Sequence, residues 1–311
     1  MRVGFLGNDP WSVPALEAVA GSPHEVALVA TRVPRPAGRG REPRPTAVAE
    51  AARRLSAPLV EVETVTSEDG FQALRTTGLE VLVVVAYGEI LTSAVLDLPS
   101  VAPVNVHFSL LPALRGANPV ARAILEGYAT TGVSTMRMDE GLDTGPVLLQ
   151  RPEAIREDDD AGTLGERLAR IGGALLVETL DGLATGALEE QPQDESLATP
   201  APRFRPQEEW IDWTADAERV GRQIRALAPE PGARTRYRGR TVKVLGARPI
   251  DGRGDPGTVM SVSGEGIAVA AGSGAVLLLD VIPEGKRRMP AADFARGARP
   301  EPGERFLGPE G

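Results

Sequence analysis

The chain contains no cysteine, and only two of its 311 residues are histidine, His24 and His107. Without thiols there are no disulfides, no thiolate metal ligands and no cysteine nucleophile. With two imidazoles and nothing softer, no metal site is expected. A cysteine-free chain suits a reducing compartment, and a cytoplasmic location is expected. No apolar run approaches the roughly 18 residues of a membrane span. The opening stretch MRVGFLGNDP has one arginine and a short apolar run, without the longer apolar region and small-residue cleavage site of a signal peptide. A soluble, untargeted chain with no membrane partner is expected. There is no coiled-coil or oligomer seam, so a monomer is expected. The phosphate-cradling patterns G-x-G-x-x-G and G-x-x-x-x-G-K-S/T are missing too, which disfavours the usual dinucleotide and nucleoside-triphosphate sites.

What is present is an ordinary globular balance, 42% apolar and 25% charged, at a length that accommodates two cores. The net charge of −9 argues mildly against a nucleic-acid partner. The charge is uneven, however. Arg32 to Arg44, RVPRPAGRGREPR, holds five arginines and one glutamate, and Ala201 to Ile250 holds eleven basic and six acidic residues. A phosphate backbone responds to such local patches rather than to the total.

The first half of the chain alternates between strand and helix patterns. RVGFL (Arg2–Leu6), EVALVAT, LVEVET, VLVVVA (Val81–Ala86), APVNVHF (Ala102–Phe108) and TGVSTMRM (Thr131–Met138) read as strands. SVPALEAVA, TAVAEAARRL and PVARAILEG read as helices, the first with Ser12 as a candidate cap. Thr163 to Ala184 reads as one long helix. Solidly apolar strands between helices imply a doubly wound, mostly parallel α/β sheet. Gly186 to Gln207 is rich in Pro, Glu and Gln without periodicity and reads as a linker. A helix over Ala215–Leu227 and short glycine-separated strands follow, the pattern of a small β-barrel. The expected division is 1–188, a linker at 189–206, and a barrel at 207–311.

Two residues apart on one strand, Asn105 and His107 leave the same face at its carboxyl end, where ligands bind in open α/β sheets. Asn offers a neutral amide donor, and His can donate, accept or carry a proton near neutrality. Together they could hold an oxyanion and move a proton. An isolated N-x-H is more often structural, but the loop GLDTG (Gly141–Gly145) changes the balance. Asp143 between glycines is a plausible orienting carboxylate that would fix the imidazole tautomer and favour the imidazolium. An ordinary Asp turn is the competing reading. The arginines of RPAGRGRE (Arg35–Glu42) form either a solvated loop or a basic finger that contacts phosphates.

Taken together, RVGFLGNDPWSVPAL, RPAGRGREPRPTAV, VVVAYGEIL, VNVHFSLLPALRGANP, TGVSTMRMDEGLDTGPVL, IDW and QIRALAPEPGA resemble the methionyl-tRNA formyltransferase family. NVHFSLLPALRGANP with GLDTG marks folate-dependent formyltransferases as a group; the arginine loop and the IDW segment narrow the match to the tRNA branch. The resemblance implies a Rossmann-like formyltransferase domain followed by a smaller OB-like β-barrel. It implies transfer of a formyl group from 10-formyltetrahydrofolate to the α-amino group of initiator methionyl-tRNA. It carries the catalytic trio onto Asn105, His107 and Asp143. It assigns the folate slot to Val85, Ala86, Tyr87, Gly88, Ser109, Leu110, Leu111, Pro112, Gly141 and Leu142. The tRNA contact falls on Arg35, Arg39 and Arg41, with the basic stretch of the barrel as a second contact.

The chain departs from the family pattern at several points. GNDPW stands where Gly-Thr-Pro is usual, Pro34 where an aspartate is common, and Asn118 where alanine is usual. APEPGA lacks a tryptophan often found between the prolines, and Arg203 and Arg205 stand where lysines are common. These positions bear on the contacts to folate and tRNA and leave the trio intact. Two alternatives remain at this point. One is a formyltransferase for an amino-sugar nucleotide or glycinamide ribonucleotide, which would not need the arginine finger. The other is an RNA-binding module on an inactive formyltransferase fold, against which the intact trio argues.

Overall fold

The structure, a computed structural model, describes residues 1–37 and 42–309. They form two compact units. The first comprises Met1–Pro119, Thr130–Ala154 and Gly165–Ala201; the second comprises Val120–Ala129, Ile155–Leu164 and Pro202 onwards.

In chain order the elements are β1 (Arg2–Gly7), α1 (Val13–Ala20), β2 (Glu25–Arg32), β3 (Arg35–Ala37), β4 (Glu42–Arg44), α2 (Ala47–Arg54), β5 (Leu59–Val62), α3 (Glu68–Arg75), β6 (Val81–Val85), α4 (Ser93–Leu96), β7 (Ala102–His107), α5 (Pro119–Leu125), β8 (Thr130–Arg137), β9 (Val147–Ala154) and α6 (Ala161–Thr185). The first unit is built on one sheet in the order β5–β2–β1–β6–β7–β8–β9. β5 to β7 pair in parallel, as their apolar runs predict, whereas β8 and β9 are antiparallel. β6 is buried along its whole length. No sequence pattern marks β9, whose outer half, Gln150 to Ala154, is mostly exposed and contains Pro152, as suits an edge strand.

Ser12 does not cap α1. Asp9 instead caps a preceding 3-10 turn by accepting from the Trp11 N–H, and the Ser12 hydroxyl donates to the Val85 carbonyl at 2.7 Å, tying this turn to β6. Thr46 and Ser67 are the side-chain caps of α2 and α3. Thr135 of β8 and Thr179 of α6 share a buried hydrogen bond of 2.8 Å. Residues 189–201, read as linker, are held along the first unit: Gln191 bridges Val147 in both directions at 2.8 Å, and Arg115 donates its N–H to Thr199 at 2.8 Å.

The basic segment read as a loop is a two-stranded antiparallel ribbon in its described part, with Arg35 opposite Arg44 across β3 and β4. Residues 38–41, which include Arg39 and Arg41, lie outside the described residues.

The second unit continues with α7 (Ala217–Leu227), β10 (Ala233–Tyr237), β11 (Arg240–Ile250), β12 (Val259–Val262), β13 (Ile267–Ala270), β14 (Ala275–Pro283), β15 (Met289–Pro290), α8 (Ala291–Ala298) and β16 (Phe306–Leu307). Its antiparallel sheet runs β12–β13–β14–β11–β10–β16. The segment entering β16 reaches back to the other end of the sheet: Val259 donates to Glu304 at 2.7 Å and Phe306 to Gly257 at 2.7 Å. That return curls the sheet into the barrel-like form the glycine-spaced strands predict. Ile224 and Leu227 of α7 and the rings of Trp213, Tyr237 and Phe306 fill its core, with Tyr237 and Phe306 stacked at 4.9 Å. In the same unit the buried Arg122 lies over the Phe204 ring and pairs with Glu208 at 2.8 Å, which holds the Glu208 carboxyl down at about 2.

Candidate functional site

The strand order of the first sheet reverses between β1 and β6. In open α/β sheets this is where a ligand crevice opens, beyond the strands' carboxyl ends. Asn8, the first residue after β1, bridges this point. Its Nδ2 donates to the Tyr87 carbonyl, and its Oδ1 accepts from Arg32 N and Thr31 Oγ1, both at 2.9 Å. One amide thus links the ends of β1, β2 and β6. The Tyr87 ring is buried in the core and its hydroxyl accepts from Val65 N at 3.2 Å. Burial, reinforced by the Glu89 carboxylate, pushes this phenol up to about 12. Its neighbours Ala86 (φ 42°) and Gly88 (φ 83°) are exposed. Val85 ends β6 and receives the Ser12 hydroxyl.

β7 delivers Asn105 and His107. In register, Asn105 lies between Val84 of β6 and Met136 of β8, and His107 lies opposite Ser134. His107 is buried, with Nε2 2.9 Å from the Leu114 carbonyl oxygen. A carbonyl only accepts, so Nε2 carries a hydrogen. The open valence of the neutral ring is therefore at Nδ1, 3.7 Å from Asp143 Oδ2. This exceeds hydrogen-bond length, and the two groups form an ion pair when the ring is protonated. The same carboxylate oxygen accepts the Gly116 N–H at 2.7 Å. The tautomer expected from Asp143 is thus set by Leu114, and Asp143 is itself aimed by Gly116.

The Asp143 loop is tightly built. Asp143 has φ 56°, a left-handed conformation that costs a non-glycine residue on the order of 1–2 kcal/mol and that Asp tolerates better than most. Gly145 is required by close approach, since a Cβ there would lie 1.9 Å from the Arg137 carbonyl oxygen. Asn105 Oδ1 is buried without a hydrogen-bond partner among the described residues, a polar atom left to be satisfied by a ligand.

The segment after His107 is braced internally. Ser109 donates to the Ala113 carbonyl at 2.6 Å and accepts at its own carbonyl from Ser134 Oγ at 2.7 Å. Leu111 N donates to Ser134 Oγ at 3.0 Å, and its carbonyl accepts from Gln150 Nε2 at 2.8 Å. The Leu111 side chain packs with Met136 and Val147, while Leu110 lies against Gly132. The Pro112 carbonyl accepts from Thr199 N at 3.4 Å. Gly141 and Leu142 are exposed beside Asp143. Ile90, 82% exposed, and Leu142, 64% exposed, are the most exposed large apolar side chains among the described residues, and they sit on the loops after β6 and before Asp143. Apolar surface with a few convergent polar groups is the make-up of a small-molecule slot.

Arg35 is exposed on the ribbon and lies 3.2 Å from Glu63. Sequence reasoning missed Asn8 as a bridging group, and missed Gln193, whose amide reaches the carbonyls of Asp143 and Gly145. Both effects depend on contacts at least 23 residues away in the chain, and no local pattern signals them.

Comparison with known proteins agrees with this architecture. The family models "Formyl transferase" and "Formyl transferase, C-terminal domain" match residues 1–180 and 203–299. A methionyl-tRNA formyltransferase of Thermus thermophilus is 45% identical over 306 residues, 98% of this chain and 99% of the relative. One of Heliobacterium modesticaldum is 43% identical over 316 residues, 98% of this chain and 100% of the relative. Among solved structures, HypX from Aquifex aeolicus in complex with tetrahydrofolic acid shares the fold at TM-score 0.65 and 17% identity, over 95% of this chain and 47% of that one, so this chain spans about half its length. Matched end to end at this level of identity, the chain belongs to the methionyl-tRNA formyltransferase family.

Proposed function

We propose that the chain transfers a formyl group from 10-formyltetrahydrofolate to the α-amino group of initiator methionyl-tRNA, for translation initiation. The observation that carries this reading is the cluster of His107, Asp143 and the unpartnered Asn105 at the carboxyl edge of the sheet. The relatives' name supplies the acceptor. The exposed Ala86 and Gly88 and the apolar Ile90 and Leu142 fit a flat heterocycle that needs both polar and apolar contacts.

The donor, when bound, supplies a formyl carbon activated by its ring-linked nitrogen. The chain's residues do the rest. Asn105 and His107 face the formyl oxygen: the Asn105 amide NH2 donates to the charge that develops on it, and His107 adds a second donor once Nδ1 is protonated. His107 handles the proton at Nδ1: the amine gives one up as its bond to carbon forms, and the departing nitrogen takes one as its bond breaks. The Nε2–H bond to Leu114 keeps the ring from turning during this exchange. Asp143 supplies the counter-charge while the ring holds both protons. We assign catalysis to residues 1–188 and tRNA binding to the barrel at 207–311, in a monomer; of the stretch 189–206 between them, 189–201 belongs to the first unit. Arg35, Arg39 and Arg41 contact acceptor-end phosphates.

The test is formylation of charged initiator tRNA beside uncharged tRNA, elongator methionyl-tRNA and a sugar-nucleotide amine. Transfer to the charged initiator alone is expected. Transfer to the sugar amine instead would discard the tRNA assignment and keep the chemistry.

A further inference from the structure

We infer that Gln193 is a positioning residue of the reaction: its side-chain amide pins the loop that carries Asp143 and so sets that carboxylate's distance from His107. The inference rests on the proposed function for the reaction and on geometry alone for the positioning.

The Asp143 loop needs an outside support. Residues 141–145 form neither helix nor strand, and Asp143 is held in a left-handed conformation. A strained residue persists only where its surroundings over-determine it. Gln193 provides that determination by donating from Nε2 to the Asp143 carbonyl at 2.8 Å and to the Gly145 carbonyl at 2.7 Å, pinching the loop on either side of Thr144. Its own orientation is set from the opposite end. Oε1 accepts from Arg115 Nε at 3.1 Å and Nη2 at 2.8 Å, so the amide cannot flip without setting its NH2 against the guanidinium. Arg115 is locked in turn by two bonds of 2.8 Å to Glu195.

The same strap also holds the other half of the pair. Thr199 Oγ1 accepts from Leu114 N at 2.9 Å, and Leu114 is the residue whose carbonyl orients His107. Arg115 is held by the same segment, giving its N–H to the Thr199 carbonyl at 2.8 Å and accepting at its own carbonyl from Ala201 N at 2.6 Å. Gly116, the next residue, gives its N–H to Asp143 Oδ2. Imidazole and carboxylate are therefore each anchored to residues 193–201, and Gln193 is the member that reaches Asp143. An amide is needed at this position, because a glutamate would be bound by Arg115 but would have no donor for the two carbonyls.

The experiment measures kcat and both KM values for formyl transfer, together with the NMR shift of the Gly116 amide proton, in the wild type, Gln193→Ala, Gln193→Glu, Gln193→Asn and Asp143→Ala. Displacing a catalytic group by about 1 Å can reduce rate about 100-fold. The Gln193 variants are expected to lose roughly 10- to 100-fold in kcat with KM within about threefold. Their Gly116 amide is expected to move toward its position in Asp143→Ala. Gln193→Asn, one methylene short, keeps a polar amide and covers the case in which Gln193→Ala does not fold. Wild-type kcat in Gln193→Glu would overturn the inference, as would a kcat loss with the Gly116 amide unmoved. If the wild type transfers no formyl group, the proposed function fails, and the amide shift still decides the positioning.

Discussion

His107 gives its Nε2–H to the carbonyl of Leu114, 2.9 Å away, and Leu114 is itself held at φ 62°. A leucine in this region is strained, and the strain places its carbonyl where the imidazole needs an acceptor. The ring's working nitrogen is thereby Nδ1, beside Asp143 and on the same strand face as Asn105.

From this arrangement activity and stability separate. Asn105 Oδ1 makes no hydrogen bond within the described chain, so truncating the side chain leaves no protein partner of that oxygen unsatisfied. Asn105→Ala should therefore fold with a Tm at or above the wild-type value. Formyl transfer should nonetheless fall on the order of 100- to 1000-fold, the usual effect of removing one oxyanion donor. A destabilised variant, or one with more than a tenth of wild-type kcat, would contradict the assignment of Asn105.

The Asp143 loop tolerates no side chain at its end. In Gly145→Ala the new Cβ would meet a backbone oxygen, that of Arg137, so the backbone itself must move. A displacement near 1 Å should reduce kcat roughly 100-fold. Gly264 has open space around its Cβ direction, and Gly264→Ala is the control, expected to be indistinguishable from wild type in a steady-state assay.

How far the sequence discloses this site follows from which interactions are local. Solid apolar runs such as Val81–Val85 identify the buried strands, and the period of two places Asn105 and His107 on one face. The likeness of GLDTG to the family motif points to Asp143. The support does not show: Gln193 lies 50 residues from Asp143 in a Pro- and Glu-rich stretch that carries no periodic signal. Ser12 is a helix-start residue by type, yet its hydroxyl serves a tertiary contact to Val85, which no helix rule foresees. β9 is equally hidden, since an edge strand with one exposed half lacks the apolar run that marks a covered one.

Acid stability of the second unit should depend on Glu208. Its carboxyl is held at about 2, chiefly by the hydrogen bond from Arg122, against an ordinary 4.5 when unfolded. A depressed carboxylate contributes stability in full above the unfolded value and loses it as pH falls from about 5 toward 2. Glu208→Gln should be less stable than wild type at pH 7, on the order of 1–3 kcal/mol for a charge-assisted hydrogen bond. The gap should close as pH approaches 2. Thermal melts of both proteins across that range test it, and a gap that stays constant with pH would remove the ion pair as its cause.

The arginine ribbon should act on tRNA and not on folate. Arg35 is more than half exposed and meets Glu63 only through a solvent-facing contact of 3.2 Å, a pairing worth little in water. Its guanidinium is therefore available to a phosphate without a large penalty. Each phosphate contact releases counterions, so each one lost should lower the slope of log affinity against log salt by about 1. Replacing Arg35, Arg39 and Arg41 together by alanine should raise the KM for charged tRNA, reduce that salt slope by about 2 to 3, and leave the KM for the folate donor unchanged. An unchanged slope would mean that the ribbon touches no phosphate. An altered donor KM would place these arginines at the folate slot and return the tRNA contact to the basic barrel segment.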